Sequence, residues 1–272
     1  MIKNVSFSAL VVVVLSLLVF SSCRSEFEKT RMSGDPERIL NAGMEYYDKE
    51  EYEKARNLFE LVLNTYRGRS EAENLYFRYA NAHFHLREHI LSAFYFENFA
   101  NTFPNSQHRE KAEFKAAYSN YMLSPSFRLD QKYTHDAIDG FQRFVNRFPN
   151  SPRVAECNEL MDELRKKLER KAFYQADLYY KMGSYQSAVA SFHHLLQDYP
   201  ETNDAEKVRY LLVKSNFLFA ENSILSKQEE RYAATITAYD NFLKRHPNSQ
   251  YHDELSKYIQ ISKNKLNSLT HE

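Results

Sequence analysis

Apolar residues recur at helical spacing through most of this 272-residue chain, and short proline-containing segments interrupt the pattern. Four of these segments share one form: TFPNS at 102–106, RFPNS at 147–151, DYPET at 198–202 and RHPNS at 245–249. An aromatic residue stands eight positions before each proline. Proline disfavours helical geometry in the residue before it, and the Ser or Thr two positions later is a good N-cap. Each segment therefore predicts the end of one helix and the start of the next.

A fifth, degenerate copy is TYRGRS, in which Arg67 occupies the place of the proline. The five equivalent positions, 67, 104, 149, 200 and 247, lie 37, 45, 51 and 47 residues apart. Periods of this size indicate stacked supersecondary units. Small and aromatic residues within the units, such as Ala55 with Phe59 and Ala188 with Phe192, match the tetratricopeptide repeat. The pattern predicts an all-α fold, an α-solenoid of about five helical hairpins, with a closing helix near 250–267.

The longest interval contains a run from Val154 to Tyr179 that has apolar residues at helical spacing and neither Gly nor Pro. This run predicts one helix of about 28 residues joining the two halves of the protein, well above the usual helix length. Cys157 and Leu164 are predicted on its buried face. The extra residues 124–134 are predicted between the two helices of the third hairpin.

Local signals predict further helix starts. Ser70 followed by Glu73 fits a capping box. The acidic pairs Glu50-Glu51 and Glu229-Glu230 are predicted to open second helices, where the helix dipole favours acidic side chains.

The N-terminus has the order of a secretory signal: Lys3, an apolar run from Ala9 to Phe20, and the small residues Ser21 and Ser22. The alternative is a transmembrane anchor, but the run is short of the roughly 20 residues that span a bilayer. Residues 1–22 are therefore predicted to be a signal peptide.

Cys23 directly follows the small residues, and the segment 19–23 resembles a bacterial lipobox, with Phe20 where leucine is usual. The resemblance implies cleavage before Cys23 and acylation of its sulfur, and two or three acyl chains are enough for stable anchoring. Residues 23–35 are predicted to form a polar tether. Residues 36–150 would hold hairpins one to three, and 151–272 the long helix, hairpins four and five and the closing helix. Arg24 is compatible with sorting to the outer membrane, as the lipoprotein resemblance implies.

Charge and motifs exclude several functions. The 36 basic and 36 acidic residues cancel, so no net field attracts nucleic acid. The chain has no GxGxxG, GxxxxGK[ST], HExxH or GxSxG motif. His83, His85 and His89 cluster, and His85 and His89 could share a helix face as a metal pair, but no third ligand stands at a suitable spacing. Cys157 fits a buried apolar position. The sequence therefore predicts a protein that is not an enzyme and has no cofactor and no metal.

The order of lipobox, third hairpin with its insertion, long helix and YY…G.Y..AV…DYP hairpin resembles the BamD family of outer membrane protein assembly factors, also described as competence lipoprotein ComL. The resemblance is closest over residues 132–215 and weakest over the C-terminal 50 residues. It implies a lipid-anchored scaffold on the periplasmic side of the outer membrane. The implied partners are a BamA-like β-barrel with periplasmic domains and unfolded outer membrane proteins.

By repeat position, five residues are predicted to line the concave face of the N-terminal hairpins and to bind a partner or peptide: Met44, Tyr47, Phe77, Asn81 and Phe84. The alternative for each is core packing or ordinary surface. The alternative function is that of another envelope lipoprotein, one that coordinates cell-division or cell-wall proteins. An enzyme acting on peptidoglycan ranks third, because the sequence has no acid–base constellation. A glycan-binding lipoprotein is disfavoured because the chain has no Trp for sugar stacking.

Overall fold

The structure is a computed structural model that describes residues 25–269. Every regular element within this range is an α-helix. The helices are α1 (Glu26–Arg31), α2 (Pro36–Asp48), α3 (Tyr52–Val62), α4 (Ala72–His85), α5 (His89–Thr102), α6 (Arg109–Leu123), α7 (Lys132–Arg147), α8 (Val154–Lys181), α9 (Tyr185–Asp198), α10 (Ala205–Glu221), α11 (Leu225–Arg245) and α12 (His252–Leu269).

Helices α2 to α11 form five consecutive hairpins, and α12 packs on the last of them. Each hairpin is a pair of neighbouring helices joined by a short turn, except the third, in which residues 124–131 separate α6 from α7. The fold is therefore the predicted α-solenoid of five hairpins with a closing helix.

The chain divides into two compact units. The first comprises the residues up to Ser124 together with Lys132–Cys157, and the second comprises Pro125–Gln131 and the residues from Asn158 onward. The sequence places the corresponding boundary at residue 150, at the end of the third hairpin. The unit boundary lies later because the first turn of α8 packs with the hairpins that precede it.

The long helix is present as predicted. Helix α8 runs for 28 residues from Val154 to Lys181. Cys157 and Leu164 are completely buried, and Met161 between them is nearly so. Burial also raises the pKa of the Cys157 thiol to about 11, so this thiol stays protonated at neutral pH.

A short helix, α1, lies within the segment predicted to be a tether. Its Ser25 side chain accepts a hydrogen bond from the Glu28 amide, which caps the helix. Phe27 packs edge-on against Tyr46 of α2 with ring centroids 5.7 Å apart. Residues 25–31 are thus part of the first compact unit rather than a free connection.

The repeated Ser or Thr of the PNS segments has a role that differs from the predicted N-cap. Each accepts a hydrogen bond from the amide two residues later and so closes a turn that precedes the helix, as Ser106 does with His108 at 3.0 Å. In three of the four segments the same hydroxyl also donates to a glutamate on the first helix of an earlier hairpin, as Ser151 does to Glu110 at 2.6 Å. Ser106 and Thr202 bond in the same way to Glu73 and Glu169. The segment therefore fixes one hairpin onto the one before it.

Two other local predictions are wrong, and a third is confirmed for only one of its two residues. Ser70 forms no capping box, because its hydroxyl bonds to Glu71 and α4 starts at Ala72 without a side-chain cap. Glu229 and Glu230 lie in the second turn of α11, because this helix already begins at Leu225 and takes up the residues inserted in the fifth hairpin. Glu50 lies in the turn before α3 with a positive φ of 61°, and Glu51 is the N-cap position.

No helix within residues 25–269 has the length and apolar character that crossing a membrane requires.

Candidate functional site: the first-helix face

The first helices of hairpins one to three, α2, α4 and α6, present one side on which rings and cations alternate. We define the first-helix face by Tyr47 on α2, Arg78 and Phe84 on α4, and Lys115 and Tyr118 on α6. All five side chains are half-buried, so each exposes part of its surface. All five also belong to the first compact unit.

Tyr47 is held at one end of this face by neighbours on α3 and α4. Its ring lies 5.5 Å from that of Tyr52 in an edge-on arrangement, and the Arg78 guanidinium lies 4.8 Å from its centroid. Arg78 is fixed in turn by an ion pair with Asp48. Burial, with a smaller contribution from Tyr52, raises the pKa of Tyr47 to about 12. The phenol is therefore neutral in the physiological range and offers a ring and a hydroxyl.

Lys115 is the central cation of the face. Its Nζ donates to Asn81 Oδ1 at 2.6 Å and lies 4.3 Å from the centroid of Phe84. Burial lowers the pKa of Lys115 to about 8, and the charges of Lys111 and Arg153 act in the same direction. No carboxylate of the described residues pairs with this ammonium group. An acidic or aromatic ligand would therefore be favoured beside it.

The structure places the predicted site residues in two groups. Met44, Tyr47 and Phe84 are half-buried, as a lining role requires. Phe77 and Asn81 are buried, with exposed fractions of 7% and 2%, so the expected exposure of Phe77 is wrong.

The burial of these two residues has a clear physical cause. The Phe77 ring stacks on His108 at 4.4 Å and contacts Phe99 at 5.3 Å, which places it in the core between hairpins two and three. Asn81 donates from Nδ2 to the Phe77 carbonyl at 2.9 Å. Its role is to hold Lys115.

Sequence reasoning missed Arg78, Lys115 and Tyr118. Arg78 lies four residues after Asn74, and Lys115 four residues after Lys111, the spacing that places side chains on one helical face. The sequence could therefore have predicted that these residues share a helical face. It could not have predicted the hydrogen bond between Lys115 and Asn81, because that bond joins different hairpins.

The chain matches a known protein family over most of its length. The family model YfiO, described as outer membrane lipoprotein, matches residues 32–217 and 179–270. The chain belongs to this family. The match includes every residue of the first-helix face.

Three curated relatives are similar over most of their length. A putative outer membrane protein assembly factor BamD of Aquifex aeolicus is 24% identical over 83% of this chain and 74% of its own. The BamD of Rickettsia prowazekii is 22% identical over 91% of this chain and 94% of its own. The BamD of Pasteurella multocida is 22% identical over 61% of this chain and 68% of its own. Among solved structures, the TPR domain of P58(IPK) superimposes with a TM-score of 0.41 at 10% identity, covering 86% of this chain and 66% of that one.

The histidines of the second hairpin have packing roles in this member of the YfiO family. His85 stacks on Tyr52 with centroids 4.2 Å apart, and His89 packs edge-on against Phe84 at 5.7 Å. His83 is buried, and its Nδ1 lies 2.5 Å from Glu88 Oε2. Within the described residues no group of three or more His, Cys, Asp or Glu could hold a metal ion. The predicted lipidation site, Cys23, lies outside the described residues.

The buried His83 predicts weaker folding in acid. Burial lowers the pKa of His83, although Glu88 opposes this, and Nε2 has no hydrogen-bond partner within the described chain. The groups around it are Arg56 and Glu60 of α3, Tyr79 of α4, Glu88 of the turn and Tyr95 of α5. The unfolded chain binds this proton more readily, so the free energy of unfolding should fall as pH drops below about 6.5. Denaturant titrations from pH 7.5 to 5 should show a shallower fall for His83→Gln than for the wild type. Equal pH slopes would contradict the assignment.

Proposed function

We propose that this protein is a lipid-anchored, non-enzymatic scaffold on the periplasmic side of the outer membrane that helps to fold and insert outer membrane β-barrel proteins. The observation that carries this proposal is the YfiO family match over residues 32–217 and 179–270. The names of the three relatives, all outer membrane protein assembly factors, support a role in outer membrane protein assembly. They favour it over coordination of cell division or of cell-wall synthesis.

The anchor in this proposal is Cys23. The apolar run that ends in Ser21, Ser22 and Cys23 supports cleavage before the cysteine and acylation of its sulfur. Mass spectrometry of the mature N-terminus should show an acylated Cys23. An intact N-terminus that still carries residues 1–22 in the membrane-bound form would reject the anchor.

The first-helix face is the proposed binding surface for unfolded barrel segments. Barrel strands carry aromatic residues at the membrane interfaces, and an unfolded strand needs temporary shelter for them. Tyr47 and Phe84 expose part of their rings, while Arg78 and Lys115 lie over these same rings. Each aromatic pair contributes about 0.5–1.5 kcal/mol beyond area burial, so a few contacts give an affinity low enough for transfer.

The second compact unit is the proposed docking site for a BamA-like β-barrel with periplasmic domains. A scaffold that holds the substrate on one set of hairpins and the folding partner on another keeps both on a single chain. Extended binding surfaces of this kind are a general property of stacked helical repeats.

Depletion of the protein tests the function. Folded outer membrane barrels should fall broadly, while soluble periplasmic proteins keep their levels. Normal levels of folded barrels after depletion would overturn the proposal.

A crosslinking experiment tests the binding surface. A photoreactive residue in place of Tyr47 should crosslink to a peptide carrying the last strand of a barrel. Phe94, which is 55% exposed on α5 and outside the first-helix face, is the matched control position. Equal crosslinking at both positions would show that the face is not selective.

A further inference from the structure

Two clefts occupy equivalent places in the repeat, one in each compact unit. The first, of about 370 Å³, lies between α5, α6 and α7. The second, of about 650 Å³, lies between α9, α10 and α11. In both, the second helices of successive hairpins form the walls, and the first helix between them forms the floor. Because they are built alike, their charged residues can be compared position by position.

The first cleft neutralises its own charges. Glu113 on the floor accepts from Arg109 at 2.9 Å and forms an ion pair with Arg147. Arg143 lies 4.0 Å from Glu97. The Glu113 side chain is only 11% exposed, so its carboxylate is largely shielded from water and held by guanidinium groups.

The second cleft has arginine where the first has this glutamate. Glu113 is the ninth residue after Pro104, and Arg209 is the ninth residue after Pro200. The other member of the pair is retained, because Arg147 and Arg245 each stand two positions before the proline of their own hairpin. One ion pair of the first cleft therefore corresponds to two cations in the second.

The other carboxylate is replaced as well. His193 stands where the first cleft has Glu97, seven positions before the proline, and Asn241 stands where it has Arg143. The four residues at these positions in α9, α10 and α11 all line the second cleft: Arg209, Arg245, His193 and Asn241. Among the described residues that line it, the second cleft thus has two guanidinium groups and no carboxylate.

Neither arginine finds an acidic partner in the part of the chain that the structure describes. Within residues 25–269, Arg209 donates only to the Ala205 carbonyl of its own helix, at 3.3 Å, and Arg245 forms no ion pair within 4 Å. Burial lowers the pKa of Arg209, and the charge of Arg245 acts in the same direction, so the two cations repel each other. The neighbouring His246 has a buried Nε2 that finds no hydrogen-bond partner among the described residues.

We propose that this Arg209–Arg245 cleft binds an acidic side chain of a protein partner. The carboxylate would pair with the guanidinium groups of Arg209 and Arg245, as Glu113 pairs with Arg109 and Arg147 in the first cleft. Side-chain amides of Gln197 and Asn241 can donate to the same group, and Leu196 and Leu212 provide apolar wall for the neighbouring residues of the partner. The mixture of cations, neutral amides and apolar wall suits an Asp or Glu on a folded protein surface better than a lipid phosphate.

The partner we infer is an acidic segment of the periplasmic domains of the β-barrel. Only this identity of the partner rests on the proposed function. The presence of an anion-binding cleft follows from the residues alone and can be tested separately.

The test uses the purified lipid-free chain and a fluorescent oligoglutamate peptide as the probe, with binding followed by anisotropy. Arg209→Glu should weaken binding by about tenfold or more, because it replaces an attractive charge with a repulsive one. The same change restores the Glu113–Arg147 type of pair, so the thermal midpoint should not fall. Lys244→Glu changes the net charge equally at an exposed position outside the cleft and should leave most of the binding intact.

Several results would overturn the proposal. Equal losses in Arg209→Glu and Lys244→Glu would show that only net charge matters. A fall in thermal midpoint with unchanged peptide binding would assign Arg209 a structural role. Arginine-dependent binding to phosphatidylglycerol vesicles, with no binding of the peptide, would identify a lipid site instead.

A capture experiment separates this inference from the proposed function. The wild type should recover a large β-barrel protein from solubilised outer membrane, and Arg209→Glu should recover less of it. If depletion lowers folded barrels but Arg209→Glu binds peptide and barrel normally, the inference alone fails. If Arg209→Glu loses the peptide but depletion leaves folded barrels unchanged, the proposed function alone fails.

Discussion

Leu164→Pro is expected to lower the free energy of unfolding by about 3 kcal/mol or more. Leu164 is completely buried near the middle of α8, a 28-residue helix. Proline removes one backbone hydrogen bond, and its ring clashes with the carbonyl of Leu160, four residues earlier. The substitution also removes a leucine side chain from the core. Denaturant unfolding followed by circular dichroism measures the loss.

Ala155→Pro is the matched control for this change. Ala155 is exposed and lies in the first turn of the same helix, where the backbone N–H has no intrahelical acceptor. Its stability should therefore stay close to that of the wild type. An unchanged transition for Leu164→Pro would mean that α8 is not a continuous helix in solution.

The helix order of this protein could be predicted from the sequence because its signals are local. Proline acts on the residue before it, so each PNS segment ends a helix wherever it occurs. The absence of Gly and Pro between Val154 and Tyr179 predicted the length of α8 for the same reason. In both cases the information lies within a few neighbouring residues.

The candidate site could be predicted only in part because its geometry depends on contacts between hairpins. Phe77 occupies a repeat position expected to face outward, yet His108 from the next hairpin covers it. Lys115 is positioned by Asn81, 34 residues earlier in the chain. Such contacts depend on how successive hairpins stack, which the spacing of apolar residues within one helix does not specify.

Internal comparison of repeats recovers some of this missing information. Glu113 and Arg209 have the same distance from their prolines and opposite charges. The significance of that reversal is visible only once the structure shows that Glu113 pairs with Arg147. The sequence thus locates a difference between two repeats, and the structure explains why it matters.

Phe59→Ala is expected to lower the free energy of unfolding by about 3–5 kcal/mol, since a buried phenylalanine would be replaced by a cavity. Phe59 is completely buried in the first hairpin. A Cβ atom at Gly43 would lie 2.8 Å from its Cε1, so α2 and α3 approach closely only because residue 43 is glycine. The ring also contacts Tyr47, with centroids 6.3 Å apart.

Phe94→Ala removes the same atoms at a position that is 55% exposed, so its free energy of unfolding should change by no more than about 0.5 kcal/mol. The two variants together separate burial from residue type in one denaturant series. Because Phe59 supports the ring of Tyr47, Phe59→Ala should also reduce crosslinking of a barrel-strand peptide at position 47, measured where the variant is still folded. Equal stability losses in the two variants would contradict the packing of the first hairpin. Unchanged crosslinking in folded Phe59→Ala would show that the first-helix face does not depend on the core beneath Tyr47.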